Sequence, residues 1–412
     1  MASLTEGAPE RPHVVVGVSG GIAAYKACEV VRGLTESGHD VRVVPTRAAL
    51  QFVGATTGAA LSGHPVSAEV WDEVDQVPHV RLGQQADLVL VVPATADLLA
   101  RAAHGLADDL LTSTLLTARC PVLYAPAMHT EMWENAATAA NVATLRDRGA
   151  VVLEPAVGRL TGVDSGKGRL PEPDEIVAVA RDLLARKSAV SDLAGRHVVV
   201  SAGGTREFLD PVRFIGNRSS GRQGYALARA AASRGARVTL VAANVSFPDP
   251  AGTDVVAVGS AAELRDAVLD AAGSADAVVM AAAVADFRPR AYAAAKIKKT
   301  AEQAVPVVEL EQTPDILAEL SATRRRDGQI VVGFAAETGD QTGSVLDHGR
   351  RKLAAKGCDL LVVNEVGPQR GFESEQNEAV ILGADGSATP VPLGPKAVLA
   401  HVVWDLVADR LR

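Results

Sequence analysis

Two glycine-rich turns, far apart in the chain, hold the residue types best suited to bind phosphate. The first follows the valine run that begins at His13: Gly17-Val18-Ser19-Gly20-Gly21 leads into Ile22-Ala23-Ala24-Tyr25-Lys26. The second follows the run from His197: Ser201-Ala202-Gly203-Gly204-Thr205 leads to Arg213 and on to Asn217-Arg218-Ser219-Ser220-Gly221. A strand that turns through glycine into a helix aims free backbone N–H groups and the positive end of a helix dipole at one point. Two such turns in unlike surroundings imply two phosphate-bearing ligands, and therefore two active sites. Neither fits G-x-G-x-x-G or the lysine-ended P-loop, and a strand-to-helix turn needs glycine simply to bend. The neighbouring residues give the turns their chemical meaning.

Near the first turn, Thr46 follows the second apolar run, and Pro93-Ala94-Thr95 follows a later one. Hydroxyls at parallel strand ends are placed to hold a phosphate monoester or the edge of an isoalloxazine ring. Ala125–Asn135 reads APAMHTEMWEN, with Met132-Trp133 three residues past His129; core packing is the plainer reading of that Met and Trp. Near the second turn, Asn217 and two serines would cradle phosphates through backbone and side-chain donors. An apolar run through Ala281 and Ala282 ends in the carboxylate of Asp286, and Lys296-Ile297-Lys298-Lys299 follows ten residues later. A lysine trio is normally a solvated charge run. Here it follows a strand end and a loop in an acidic chain, which favours neutralisation of a triphosphate.

The elements that must position these residues alternate. Val14–Val18, Val41–Val44, Leu88–Val92, Val122–Tyr124 and Val151–Leu153 read as strands, with helices over Ile22–Ser37, Leu98–Leu116 and Ala136–Arg148. That pattern predicts a doubly wound parallel sheet with ligands at the carboxyl ends of its strands. Gly158–Pro173 is glycine-rich and lacks apolar periodicity, so it reads as a mobile loop ahead of a helix over Asp174–Arg186. The unpatterned 187–195 stretch is the expected linker between domains 1–186 and 196–412. The second domain restarts with strands at Val198–Ser201, Val238–Val241, Ala277–Ala281, Ile330–Phe334 and Leu360–Asn364. A terminal hairpin, Asn377–Leu382 with Thr389–Pro392, turns at Asp385-Gly386. Helices fall at Gly224–Arg234, Ala261–Ala271, Asp315–Arg325, Ser344–Lys356 and Lys396–Arg412.

Composition narrows the class. The 412 residues exceed one ordinary core, and 48% apolar content with 37 glycines and 3% aromatics suits helix-covered parallel sheets. A net charge of −8 without a polybasic run gives no support to nucleic-acid or membrane-surface binding. Cys28, Cys120 and Cys358 are scattered and odd in number, which argues against a disulfide frame or zinc ribbon. The acidic start lacks a hydrophobic stretch, and no apolar run approaches the about 20 residues that span a bilayer. A soluble cytoplasmic protein is expected.

The segments GVSGGIAAYK, PATADL, GLADDLL and PAM-x-x-x-MW together resemble the homo-oligomeric flavin-containing cysteine decarboxylases. That resemblance implies a flavodoxin-like fold with FMN at the subunit boundary of a trimer, held by Ser19, Gly20, Gly21, Thr46, Pro93, Ala94, Thr95 and Met128. It implies His79, in PHVRLGQQADL, as catalytic base. Where the family usually reads PAMN, this chain has His129, whose imidazole can also donate a hydrogen bond to a substrate carboxylate. Many members carry a proton-donating cysteine in an A-C-G-x-x-G-x-G-R loop; here the loop from Thr161 to Arg169 has none. Asp164 is the nearest substitute acid, water another, and loss of the activity a third possibility. Flavin is needed because decarboxylating a cysteinyl amide leaves a carbanion without an electron sink. Oxidising the thiol to a thioaldehyde creates that sink, and the electrons return afterwards.

From Gly195 to about Leu382 the chain resembles the phosphopantothenate–cysteine ligase domain, giving a second, Rossmann-like α/β domain. The resemblance implies activation of 4′-phosphopantothenate by CTP, with Mg2+, as an acyl-cytidylate, and displacement of CMP by cysteine. It places Asn217 at the acyl-cytidylate stage and Lys296 on the nucleotide phosphates. Met280, Ala281, Ala282, Asp286, Pro314, Asp315, Ile316, Leu317, Phe334, Lys352 and Lys356 complete the CTP site, and no metal ligand is specified. Decarboxylase followed by ligase is the domain order of the bifunctional family of coenzyme A biosynthesis. That family order implies trimeric decarboxylase and dimeric ligase domains, up to a dodecamer. Two rivals are a decarboxylase of peptidyl cysteine, which the ligase half opposes, and a regulatory flavoprotein that binds a phosphatase. An acidic C-terminal tail would favour the latter, and the chain ends WDLVADRLR.

Overall fold

A computed structural model describes residues 11–69, 77–160, 164–186, 192–298, 307–337, 344–365 and 376–412. The chain divides into two compact units, Met1–Ser191 and Asp192–Arg412. In the first, β1 (His13–Val18), α1 (Ala27–Glu36), β2 (Asp40–Pro45), α2 (Ala55–Ser62), α3 (Pro78–Gln85) and β3 (Leu88–Ala94) come in turn. Next are α4 (Ala96–His104), α5 (Leu110–Thr117), β4 (Val122–Pro126), α6 (Thr130–Trp133), α7 (Ala136–Asp147) and β5 (Val151–Val152). A ribbon of β6 (Ala156–Arg159) and β7 (Ser165–Arg169) precedes α8 (Pro173–Arg186).

Strands β1 to β5 form one parallel sheet in the order β2-β1-β3-β4-β5. That is the flavodoxin-like order, whose switch point lies between β1 and β3. Strand residues alternate between two apolar layers: Val14, Val16, Leu88 and Leu90 face one, Val15, Val89 and Val91 the other. Burial on both faces is why the strands read as unbroken valine and leucine runs.

The second unit begins with β8 (His197–Gly203), β9 (Arg206–Phe208), β10 (Phe214–Gly216), α9 (Arg222–Ser233), β11 (Arg237–Ala243) and β12 (Thr253–Val258). It continues with α10 (Ala261–Ala272), β13 (Ala277–Met280), β14 (Phe287–Pro289), β15 (Leu310–Gln312), α11 (Ile316–Ala322) and β16 (Ile330–Glu337). Last come α12 (Val345–Lys356), β17 (Leu360–Glu365), β18 (Gln376–Gly383), β19 (Ala388–Pro395) and α13 (Lys396–Arg410). The main sheet runs β12-β11-β8-β13-β16-β17-β18-β19. Its first six strands are parallel and in Rossmann order; the last two are the antiparallel hairpin. Two short ribbons, β9–β10 and β14–β15, lie outside that sheet.

Several expectations change. His79 lies in a helix not expected from sequence, α3, which Pro78 opens before the strand that starts at Leu88 as expected. The expected helix Leu98–Leu116 is two helices, because Gly105 closes α4 at φ +69 and Asp109 caps α5 in a capping box. Ile22–Lys26 is a 3₁₀ turn before α1. The expected loop Gly158–Pro173 contains an antiparallel ribbon, with Thr161–Val163 outside the described residues. The strand expected over Ala277–Ala281 stops at Met280, and in the apolar run that leads on to Asp286 Ala283 makes a lone bridge to Gly204. No described helix is long and apolar enough to cross a membrane.

Helix α13 closes the second unit by packing Trp404 against α9. Trp404 is fully buried, and its indole N–H donates to the Leu227 carbonyl at 2.9 Å. Trp404→Ala should lower the stability of this unit by about 3–5 kcal/mol through lost burial and a cavity. A urea titration followed by circular dichroism checks this; an unchanged midpoint would show that α13 contributes little to the fold.

Candidate functional sites

In the first unit the ends of β1 and β3 are joined by one hydroxyl. Ser19 Oγ donates to the Pro93 carbonyl at 2.7 Å and accepts from Thr95 N at 3.0 Å. Thr46 N donates to Val18 O at 2.8 Å, and Thr46 Oγ1 accepts from Ala49 N at 3.2 Å, bringing β2 to the same edge. A Cβ on Gly20 would lie 2.4 Å from that of Ala48, so only glycine lets the turn after β1 meet the turn after β2. Thr95 caps α4 through Leu98 N, which leaves other first-turn N–H groups of α4 at this edge. Serine, threonine and glycine N–H groups beside a helix start fit the phosphate of a flavin mononucleotide.

Met128 and His129 sit under the β6–β7 ribbon. Met128 N donates to Gly168 O at 3.0 Å, while Ala127 N donates to Ala94 O at 3.2 Å. Cβ atoms on Gly166 and Gly168 would lie 2.3 Å from Thr130 Oγ1 and 2.2 Å from Met128 O. The ribbon therefore lies flush on this turn because it has glycines there. Glu154 fastens it: its carboxylate is 2.7 Å from Lys167 Nζ and 2.8 Å from an Arg146 nitrogen. Burial alone would raise the Glu154 carboxyl, but Lys167 and Arg146 hold it below the usual range. Asp164, exposed, begins the second strand's approach, and its carbonyl accepts from Leu160 N at 2.8 Å.

His129 precedes α6 as its N-cap residue, with Nδ1 3.7 Å from Glu131 Oε2. His79 is fixed to α5: its carbonyl accepts from Thr117 Oγ1 at 2.7 Å. Its Nδ1 is buried without a partner among the described residues, as is the Thr130 hydroxyl. Two orphaned polar atoms are what a ligand or a further polar group would satisfy. The bonds that fix His79 lead to α5, not to the Met128–Thr130 turn. Thr130 and Glu154 escaped the sequence reading, although the alternating glycines of Ser165–Arg169 were a signal for a strand pressed on something.

In the second unit the apolar stretch after β13 runs along the glycine turn. Thr205, fully buried, accepts from Ala285 N at 2.9 Å through its hydroxyl and donates its N–H to Ala283 O at 3.2 Å. Ser201 Oγ accepts from Ala282 N at 3.1 Å. Gly203 has φ +87, and a Cβ there would meet Ala243 O at 2.0 Å. Asn217 reaches the same stretch, its amide donating to Val284 O at 3.0 Å. Thr313 closes the far side through Asp286 O at 3.0 Å, next to Pro314 and Asp315.

Asp315 caps α11 through Ala318 N at 3.1 Å and pairs with Lys356. Burial would raise its carboxyl, yet Lys356, the Ala318 N–H and Lys352 hold it below the usual range. Lys352 is 2.9 Å from Glu337 at the end of β16, the strand that carries Phe334. Asn217, Ala282 and Asp286 are thus tied along one stretch, with the Asp315–Lys356 pair two residues beyond Thr313. Met280 and Ile316 are buried in the apolar core, and Leu317 packs against it, so Met280 and Ile316 meet a ligand only through backbone. Lys296 is exposed, and Lys299 lies outside the described residues. Among the described residues no group of three or more His, Cys, Asp or Glu is set to hold a metal ion.

Residues 3–185 match the family described as Flavoprotein, and residues 193–411 match the DNA/pantothenate metabolism flavoprotein C-terminal domain. The coenzyme A biosynthesis bifunctional protein CoaBC of Mycolicibacterium smegmatis is 61% identical over 409 residues, covering 98% of each chain. Those of Mycobacterium tuberculosis and Bacillus subtilis are 62% and 42% identical, over 97% and 96% of this chain and the same shares of theirs. A solved C-terminal domain of such a protein is 33% identical, at a TM-score of 0.45 over 54% of this chain and 98% of that one. The chain belongs to the bifunctional coenzyme A biosynthesis proteins, with a flavoprotein domain followed by a DNA/pantothenate metabolism flavoprotein C-terminal domain.

Proposed function

We propose that the chain performs two consecutive steps of coenzyme A synthesis. Residues 196–412 join cysteine to 4′-phosphopantothenate at the expense of CTP, through an acyl-cytidylate, and residues 1–186 decarboxylate the product to 4′-phosphopantetheine. The observation that carries this reading is a separate ligand edge in each unit, in a chain 61% identical end to end with a bifunctional relative. Mg2+ accompanies CTP. The decarboxylase domain forms a trimer and the ligase domain a dimer, combining up to a dodecamer, and the protein works in the cytoplasm.

In the decarboxylase, Ser19, Gly20, Gly21, Thr46, Pro93, Ala94, Thr95 and Met128 hold FMN. Bound there, the flavin supplies reversible oxidation of the cysteinyl thiol, which gives the carboxylate's electrons somewhere to go. His79 takes the thiol proton; among the described residues its Nδ1 has no hydrogen-bond partner and is open to substrate. His129 donates to the substrate carboxylate from the turn beneath the ribbon, and Asp164 returns a proton to the product. In the ligase, Lys296 offsets phosphate charge as pyrophosphate departs, and Asn217 donates its amide to the mixed anhydride. Asp286, Phe334, Lys352, Lys356 and the 280–282 and 314–317 segments line the nucleotide.

Purified protein given 4′-phosphopantothenate, cysteine and CTP should form 4′-phosphopantetheine and carbon dioxide, read by mass spectrometry. Accumulation of neither the cysteinyl amide nor its decarboxylated product would refute the reading.

His79→Asn should keep the visible flavin spectrum and lose roughly 10²–10⁴-fold in carbon dioxide release, the usual contribution of a positioned base. Ligation should be unchanged. Decarboxylation within a few-fold of wild type removes His79 from the catalytic set.

Lys296→Gln should block cytidylate formation. Asn217→Asp should chiefly impair the later attack of cysteine on the cytidylate, because aspartate replaces an amide donor with a like charge. Quenched-flow detection of the intermediate separates the two. Wild-type accumulation in Lys296→Gln would assign the phosphate contact to a neighbouring lysine.

A further inference from the structure

The turn between β9 and β10 grips the lysine segment by its backbone. Leu209 O accepts from Ala293 N at 3.0 Å, Asp210 Oδ2 accepts from Ile297 N at 3.2 Å, and Arg213 donates to Ile297 O at 2.5 Å. Asp210 is fully buried, and its other oxygen accepts from Val212 N and Arg213 N, both at 2.8 Å. Arg213 Nε stands 3.3 Å from Asp210 Oδ2, so both carboxylate oxygens are engaged. A neutral amide could satisfy only one side of that arrangement, since its NH₂ would face the Ile297 N–H.

The same ribbon carries Asn217, one residue after β10 ends at Gly216. One end of the ribbon thus leads to Asn217, bonded to Val284 O, and the other holds the backbone between Lys296 and Lys298. Burial by itself would raise the Asp210 carboxyl, but the N–H groups of Val212, Arg213 and Ile297 and the charge of Arg213 hold it below the usual carboxylate range. Its folded value lies below its unfolded one, so its stabilisation is present above about pH 4 and is lost as pH falls through the folded value.

We infer that Asp210 is a positioning residue for ligation, fixing the main chain at Ile297 so that Lys296 meets the CTP triphosphate in a frame shared with Asn217. The inference rests on the assignment of Lys296 to the nucleotide phosphates. Asp210 touches neither nucleotide nor acid; it acts by holding an exposed segment in place before substrate arrives, where misplacement of about 1 Å can cost 10²-fold.

The test uses the full-length chain as D210N, K296Q and the double variant. Cytidylate formation, KM for CTP and for cysteine, and backbone hydrogen exchange are measured. D210N should slow cytidylate formation about 10–100-fold, raise KM for CTP but not for cysteine, and speed exchange over 293–298 while β8 and α9 keep their protection. Added to K296Q, it should cost nothing further. Should D210N fail to fold, Ile297→Pro, which removes the same N–H and leaves the carboxylate, takes its place under the same criteria. A folded variant with wild-type cytidylate formation beside an impaired K296Q overturns the proposal, as do additive losses or equal rises in both KM values. Wild-type behaviour of K296Q overturns the lysine assignment, and the proposal with it.

Discussion

Both ligand edges depend on backbone meeting backbone where parallel strands end. Hydroxyls and N–H groups from different strands converge only if their turns approach more closely than a Cβ permits. At Gly203 that limit is the Ala243 carbonyl, 2.0 Å from where a Cβ would lie; at Gly168 it is the Met128 carbonyl, at 2.2 Å. Given the approach, short polar side chains complete the edge. Ser19 ties β1 to the turn after β3, and Thr205 ties β8 to the stretch after β13. In both sheets these are the strands between which the order reverses, so the tightest cross-links fall where a ligand crevice opens.

The two sheets meet that constraint with different degrees of reinforcement. In the second unit, the turn residues are held by fully buried groups, Thr205 and Asp210, and the edge is continuous from Asn217 to Asp286. In the first unit, the ribbon is joined to the turn at Met128 by the Met128 N–H to Gly168 carbonyl bond, and to Glu154 by the partly exposed Lys167. Ion pairs of that exposure contribute little net stability. The turn of the second unit cannot shift without breaking the buried hydrogen bonds of Thr205 and Asp210.

The buried strands were legible because burial on both faces makes them apolar throughout; the expected Leu88–Val92 and Val198–Ser201 fall within β3 and β8. The edge strand β2 was legible too, but β12, at the edge of the second sheet, was not. Strand β12 pairs on one side only and exposes Val256 and Ala257, so its residues carry no run of burial. The three-residue strands β9, β10, β14 and β15 are too short for any period to register. The ribbon β6–β7 looked like loop because its pairing is set by the turn beneath it, and alternate glycines have no hydropathy to show. Helix α3 hid His79 in the same way: eight residues with one proline start read equally as the approach to the strand at Leu88. The residue types of both sites were visible in sequence, while the groups that hold them, Thr205, Asp210, Thr130 and Glu154, required the fold.

Charge obeys the same arrangement. A chain of net charge −8 has to attract a triphosphate and a phosphate monoester, so its cations must act locally. Lys352 and Lys356 are paired at rest with Glu337 and Asp315, all partly exposed. Exchanging such a pair for a phosphate oxygen costs little, since exposed pairs are worth at most about 1 kcal/mol. Those carboxylates have a second use, because Asp315 also caps α11 and keeps that helix start in register with Thr313 and Asp286. Lys296 differs in kind: it stands exposed beside Ile297, whose backbone is held by Asp210 and Arg213. On the proposed assignment of Lys296, separating where a cation is anchored from where its charge is used would let one rigid ribbon serve a reaction in which the charge on the nucleotide changes from step to step.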